Sequence, residues 1–291
     1  MEKNNLFIST TFVSDGLPLS KALEICSKNN IVSLEIGSNH IYEPDITYIN
    51  SFNFNFLVHN YFPVPKIGLV VNIASLDEEI RKRSISHIKK AIDFSESLGS
   101  ELYTFHPGFI LDPLSSNISD KNYDFEWEQN NNLHFHKDLA KQHMYSSLDE
   151  IIKYSSNFSV KIAIETEGSL SKKDYLLMQT PVDYEEFVSK YQPSDIGINL
   201  NIGHLALASR AFNFSKRNFL DIIEKYIVAM ELSHNNFLED EHLPLVFDGW
   251  YWPLIFDFRF NTAIKILEYR NTDITDVLSS IDLFRKIEND F

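Results

Sequence analysis

The stretches LYTFH (102–106) and KIAIE (161–165) are short apolar runs, and each ends on a side chain that can bind a metal. Both runs contain β-branched residues, and the first also contains aromatic ones, which favour buried strands. Residues 138–156, between them, are predicted to form a helix. A strand, a helix and a second strand in this order predict a unit whose two strands lie parallel.

The same alternation continues along the chain. The predicted strands are Leu6–Thr10, Ser33–Ile36, Phe56–His59, Leu102–His106, Lys161–Glu165, Ile196–Leu200, Ile227–His234 and Ala263–Glu268. The predicted helices between and after them are Leu19–Lys28, Asp77–Leu98, Asp138–Ser156, Asp183–Lys190, Phe219–Tyr226 and Asp276–Lys286. Eight strand units predict an α/β fold closed into a (β/α)8 TIM barrel. No linker or repeat divides the chain, so we expect one domain over residues 1–291.

Local sequence signals mark one helix and two long connections. Ser75 followed by Glu78 has the spacing of a capping box, and Gly99 is a stop signal, so both frame the helix at 77–98. The segments from Phe109 to about Lys137 and from Asn235 to Asn261 lack a clear helical period. We interpret both as loops over the active face of the barrel.

Composition excludes several classes of protein. The 291 residues include 26 Lys and Arg against 41 Asp and Glu, a formal net charge of −15, which offers no general basic surface for nucleic acid or anionic lipid. The single cysteine, Cys26, excludes an intrachain disulfide and a cysteine-based zinc site. No stretch is long and apolar enough for a membrane helix, and the N-terminus lacks the apolar core of a signal peptide, so a cytoplasmic location is expected.

Side chains of metal-ligand type occur where five predicted strands end: His59, His106, Glu165, His234 and Glu268. In a (β/α)8 barrel these strand ends meet at the face that carries active sites. One histidine at such a position is more often a hydrogen-bonded structural residue, but five ligand types at strand ends favour a metal site. Imidazole and carboxylate together suit Zn²⁺, Mn²⁺ or Fe²⁺.

Longer motifs resemble a known family. They are VHNY (58–61), NIAS (72–75), LG (98–99), FHPG (105–108), IETEG (164–168), NIGH (201–204), LSH (232–234), DEH (240–242) and LE (267–268). In order and spacing they are similar to the endonuclease IV group of the xylose-isomerase-like barrel superfamily. The resemblance extends from about residue 30 to residue 270.

The resemblance implies three metal positions. They would be formed by His59, His106 and Glu165; by Glu165, Asn201, His234 and Glu268; and by His204, Asp240 and His242. Sugar isomerases and epimerases of the superfamily use only the second set, for one divalent ion. Asn201 stands where the family usually has Asp, which removes one negative charge, and Glu241 stands where the DNA-repair enzymes have a basic residue. His134, His136 and His143 are predicted not to be ligands.

Three functions remain open on this evidence. The first is a sugar or sugar-phosphate isomerase or epimerase, in which Glu165 and Glu268 move a proton beside a divalent ion, Zn²⁺ or Mn²⁺ in preference to Mg²⁺ or Fe²⁺. Trp250 and Trp252 are its predicted substrate-binding residues. The second is an apurinic-site endonuclease with nucleic acid as its partner, and the third is a non-catalytic ligand-binding barrel. The absence of phosphate-loop and dinucleotide motifs predicts no nucleotide cofactor. Self-association is left open.

Overall fold

Eight parallel strands close into a barrel in the computed structural model, as the sequence predicted. The structure describes residues 5–113, 115–119, 122–126 and 133–291. The barrel strands are β1 (Leu6–Ser9), β2 (Ser33–Ile36), β3 (Asn55–His59), β4 (Leu102–Phe105), β7 (Lys161–Glu165), β8 (Gly197–Asn201), β9 (Ile227–Leu232) and β10 (Ile264–Leu267). They follow one another in chain order around the barrel, and β1 pairs with β10 to close it.

The helices cover the outside of the barrel. They are α1 (Leu19–Lys28), α2 (Glu78–Ser97), α3 (Leu133–Ser155), α4 (Pro181–Lys190), α5 (Ile202–Phe212), α6 (Lys216–Ile223), α7 (Trp252–Ile255) and α8 (Ile274–Glu288). The sequence interpretation missed α5 and the short α7. No helix of the described chain is long and apolar enough to cross a membrane.

The two connections interpreted as loops contain some regular structure. An antiparallel hairpin of β5 (Ser115–Ser119) and β6 (Asn122–Glu126) lies within the first. The second contains α7 and a 3₁₀ turn at Phe258–Phe260.

The start of α2 differs from the prediction. Asp77, not Ser75, caps this helix, because its carboxylate accepts hydrogen bonds from the backbone N–H groups of Glu79 and Ile80 at 2.7 and 3.2 Å. The Ser75 hydroxyl instead donates to Asp112 at 2.6 Å. Ser75 therefore ties the start of the helix to the loop after β4.

The barrel interior has an apolar layer, separate from the larger core between strands and helices. Its buried members are Phe7, Leu57, Leu102, Ala163, Ala229, Ile264 and Ile266. Two residues further along five of these strands, side chains of the same face are polar: Ser9, His59, Thr104, Glu165 and Glu231. Because side chains alternate along a strand, apolar residues fill the bottom of the barrel and polar residues fill its carboxyl end.

Candidate metal centre

The carboxyl ends of the strands open into a cavity of about 1090 Å³. Seven of the predicted site residues line it: His59, His106, Glu165, His204, Asp240, His242 and Glu268. They come from β3, β7 and the segments that follow β4, β8, β9 and β10. The fold thus brings together side chains that are up to 209 positions apart in sequence.

Three of these residues form one ligand group, the first group, made of His59, His106 and Glu165. The Nε2 atoms of His59 and His106 lie 3.7 and 3.6 Å from the same Glu165 oxygen, Oε2. That oxygen is buried and accepts no hydrogen bond. Ligands about 2.0–2.2 Å from one tetrahedral ion stand roughly 3.4 Å apart, so the group fits a divalent cation.

Neighbouring side chains orient the first group. His106 Nδ1 lies 2.8 Å from Glu167 Oε1, and His59 Nδ1 lies 2.8 Å from the Thr104 hydroxyl. Partners of this kind hold the far nitrogen of a ligating histidine and leave Nε2 for the ion. Burial alone would lower the pKa of His106, but the charges of Glu165 and Glu167 raise it to about 9. Burial lowers the pKa of His59.

The second group, His204, Asp240 and His242, lies on the same cavity. Asp240 Oδ2 is 3.2 Å from His204 Nε2 and 2.9 Å from His242 Nε2, and Asp240 Oδ1 has no hydrogen-bond partner. His204 Nδ1 donates to the Thr166 carbonyl at 2.7 Å. Although burial opposes it, attraction to His242 and His204 holds the pKa of Asp240 well below its usual range. The second group therefore also offers a carboxylate and two Nε2 atoms to a cation.

Asn201 occupies the space between two carboxylates. Its Nδ2 donates to Glu165 Oε1 and to Glu231 Oε2, both at 3.0 Å. Its Oδ1 accepts from the His204 backbone N–H at 3.1 Å and caps α5. The amide hydrogens supply the positive charge that faces these carboxylates, and the carbonyl oxygen is engaged elsewhere. In this arrangement Asn201 does not fit the role of a metal ligand.

The structure does not bring His234 to the cavity. Strand β9 ends at Leu232, and the His234 backbone pairs with Leu243 through hydrogen bonds of 2.8 and 2.9 Å. The His234 ring packs edge-on against Tyr251, with 6.1 Å between centroids. Glu231 instead points into the barrel from β9, next to Asn201 in the strand register. Glu231 is two residues after Ala229, and this spacing identifies it as a barrel-facing residue once the structure shows that Ala229 faces the interior.

Neither of the two tryptophans predicted to bind substrate lines the cavity. Trp252 is buried, its indole N–H donates to the carbonyls of Val246 and Phe247 at 3.0 and 3.1 Å, and its ring stacks on Phe256. Trp250 lies under the Lys216 ammonium group, 4.8 Å from the ring centroid. Both rings pack the connection after β9 instead of facing a substrate.

His134, His136 and His143 were predicted not to be metal ligands, and this stays a prediction. His143 Nδ1 lies 3.2 Å from the Ser75 carbonyl, and neither it nor His136 belongs to a ligand group of the described residues. The side chain of His134 lies outside the described residues.

Residues 47–287 match the protein family described as xylose isomerase-like TIM barrel. Two uncharacterized proteins of Methanocaldococcus jannaschii are similar in sequence. One is 26% identical over 230 residues, covering 78% of this chain and 70% of that protein. The other is 25% identical over 292 residues, covering 97% of this chain and 98% of that protein.

Solved structures share the barrel at low sequence identity. A D-tagatose 3-epimerase-like protein superimposes with a TM-score of 0.73, at 19% identity and 98% coverage of both chains. The D-psicose 3-epimerase of Clostridium cellulolyticum H10, solved with D-tagatose, gives 0.65 at 11% identity, covering 97% of this chain and 99% of that one. A Thermus thermophilus protein soaked with ZnCl₂ gives 0.58 at 15% identity, covering 94% and 98%.

Proposed function

We propose that this chain, which belongs to the xylose isomerase-like TIM barrel family, is a divalent-metal-dependent isomerase or epimerase of sugars or sugar phosphates. The observation that carries the proposal is the buried, unpartnered Glu165 oxygen facing two histidine Nε2 atoms on the cavity, with the Glu268 carboxylate lining the same space. The epimerases among the structural neighbours support a carbohydrate substrate.

The first group would hold the ion. A bound divalent cation supplies charge that polarises substrate oxygens and makes an adjacent C–H bond more acidic. His59 and His106 would be its neutral ligands and Glu165 its anionic ligand. Glu167 keeps His106 oriented through their hydrogen bond.

Glu268 is the carboxylate best placed to move a proton. It lines the cavity but belongs to neither the first nor the second group. Its Oε2 lies 3.1 Å from His242 Nδ1. Although burial opposes the shift, attraction to His242 lowers the pKa of Glu268, so the group is an ionised base at neutral pH. Although burial opposes the shift, attraction to His106 and His204 lowers the pKa of Glu165, which is the second carboxylate proposed to carry a proton.

Hydrogen exchange tests this proposal. The metal-loaded protein would be incubated in deuterated water with a panel of aldoses, ketoses and their phosphates, and carbon-bound deuterium would be followed by NMR. We expect exchange at one substrate carbon, lost in Glu268→Gln. Glu239→Gln is the matched control, because Glu239 is an exposed carboxylate at the cavity rim. Equal exchange in wild type and Glu268→Gln would exclude Glu268 as the proton carrier.

A second candidate is a metal-dependent phosphodiester hydrolase of the apurinic-site endonuclease type. The observation that favours it is the second group, because two cation sites on one cavity suit phosphate-ester hydrolysis. The test is nicking of abasic duplex DNA by sub-stoichiometric protein in the presence of Mn²⁺ or Zn²⁺. If the protein nicks this DNA, if salt weakens the reaction steeply and if Glu165→Gln abolishes it, the hydrolase replaces the isomerase as the proposed function. If both assays fail and the protein holds less than about 0.1 equivalents of metal, a non-catalytic barrel remains.

A further inference from the structure

A separate pair of carboxylates lies inside the barrel, out of contact with the cavity. Glu35 from β2 and Glu231 from β9 are 0% and 1% exposed, and neither lines the cavity. Their ligand atoms lie within 4.8 Å of each other and of a His59 ring nitrogen. We call this pair the inner pair.

Glu35 has no partner that would balance a charge. Neither of its carboxylate oxygens accepts a hydrogen bond. The nearby Ser9 hydroxyl lowers its pKa without reaching hydrogen-bond geometry, while burial and the charges of Glu268 and Glu165 raise the pKa well above its usual range. No lysine or arginine of the described chain forms an ion pair with either member of the inner pair. A buried carboxylate without a charged partner is stabilised by a bound cation or by protonation.

Glu231 has hydrogen-bond donors around it but no cation. Its Oε1 accepts from the Asn199 amide and its Oε2 accepts from the Asn201 amide. Both donors are neutral amides, so neither balances a charge on Glu231. Asn199 is fully buried and its own Oδ1 has no hydrogen-bond partner. The same layer therefore contains two carboxylates that lack a balancing charge and an unpartnered amide oxygen.

His59 belongs to the first group, not to the inner pair. Its Nδ1 is 3.6 Å from Glu231 Oε1 but 2.8 Å from the Thr104 hydroxyl. A neutral imidazole has one lone pair, and the Nε2 of His59 faces Glu165. Nδ1 then carries the hydrogen, which leaves oxygen atoms as the ligands of the inner pair.

We propose that Glu35 and Glu231 bind a divalent cation inside the barrel, with the unpartnered Asn199 amide oxygen in the same oxygen-rich layer. Carboxylate and amide oxygens select hard cations such as Mg²⁺, Mn²⁺ or Ca²⁺, whereas the first and second groups offer the imidazole nitrogens that suit Zn²⁺. The inner cation neutralises the buried charge of the two glutamates. This inference does not depend on the proposed reaction.

Elemental analysis with two metals tests the inference. Protein given two equivalents of Zn²⁺ would be dialysed against excess Mn²⁺ and then washed. We expect wild type to retain about one equivalent of Mn²⁺, and Glu35→Gln to lose it while keeping its zinc. His106→Ala should show the opposite pattern, with less zinc and the Mn²⁺ retained. Glu150→Gln, which removes an exposed carboxylate paired with Lys89, is the control that should keep both metals.

Two results would overturn the inference. If zinc-loaded wild-type protein retains no Mn²⁺ after dialysis and washing, the inference is refuted by the wild type alone. Glu35→Gln that retains wild-type Mn²⁺ and melts at a higher temperature than wild type in chelator would mean that Glu35 is neutralised by a proton. Loss of Mn²⁺ from Glu231→Gln as well as from Glu35→Gln would support the inner pair as the ligands.

Discussion

Replacing Asn201 by Asp removes the two amide hydrogens that separate Glu165 from Glu231 and puts a third carboxylate in their place. The site is fully buried, and both hydrogen bonds are 3.0 Å long. The change keeps the cap of α5, because Asp and Asn are equally good at that position. Any effect therefore reports on the contacts with the two glutamates.

The expected loss of stability is large without metal. A hydrogen bond to a charged group contributes about 1.5–3 kcal/mol, so loss of the two bonds costs up to roughly 3–6 kcal/mol, and less where one of the three carboxyl groups takes up a proton. A cation that binds between the carboxylates reverses it. Free metal at about a thousandfold excess over its dissociation constant restores roughly 4 kcal/mol.

Urea unfolding in chelator and in Zn²⁺ measures both effects. We expect Asn201→Asp to unfold at lower urea than wild type in chelator, to recover in Zn²⁺, and to bind more metal by elemental analysis. Asn199→Asp is the matched control, because Asn199 gives one hydrogen bond to Glu231 and none to Glu165, and should lose about half as much. If Asn201→Asp is as stable as wild type in chelator and binds no more metal, the amide does not occupy a cation position.

Three further outcomes are expected. Glu165→Gln and Glu268→Gln should each reduce turnover more than about tenfold, equivalent to roughly 1.4 kcal/mol, while circular dichroism stays unchanged. The control His136→Ala should keep the wild-type rate. A glutamine variant that keeps more than about a tenth of the wild-type rate would contradict the role of that glutamate. Protein purified from metal-replete cells should contain at least one divalent ion by elemental analysis, and a content below about 0.1 equivalents would contradict this. In the metal-free protein the pKa of His106 is raised from 6.5 to about 9, so its imidazolium stabilises the fold fully below pH 6.5 and this contribution disappears as the pH rises through 9. Melting temperatures in chelator should fall across that window, less so in Glu167→Gln, and an equal fall in both proteins would show that Glu167 does not support the charge.

The barrel could be predicted because its strands are marked locally. The runs 33–36 and 161–165 were predicted to the residue, since each combines apolar and β-branched side chains between polar segments. His59, His106 and Glu165 end the predicted strands 56–59, 102–106 and 161–165, and the family resemblance implied that they form one group. Parallel strands place their carboxyl ends at one face, so a local pattern was enough to predict a shared site.

Residue type alone could not predict which residue of the β9 segment points into the barrel. His234 was chosen because histidine is a common metal ligand and ends an apolar stretch. Only the register shows that the strand ends at Leu232 and that Glu231 points into the barrel. The choice between the two depends on which face each residue occupies, and a shift of one residue reverses that face.

The helix α5 was missed for a related reason. Asn201 was interpreted as a ligand, although it is also a residue type that begins helices, and the apolar segment after it has no polar face. Trp250 and Trp252 were predicted to bind substrate because they lie in a connection interpreted as a loop over the active face. Tertiary packing of Trp252 against Phe256 decides their actual position, and no local pattern reports it.

The apolar layer at the bottom of the barrel has a kinetic consequence. The layer fills the lower end of the barrel, and the polar residues above it lie on the side of the cavity. An ion that reaches this polar layer through the cavity must arrive before a larger molecule fills the cavity mouth, and it leaves only after that molecule departs. For an ion on that route, the order of binding is the ion first and the larger molecule second. A larger molecule that dissociates slowly from the cavity mouth then delays the release of the ion.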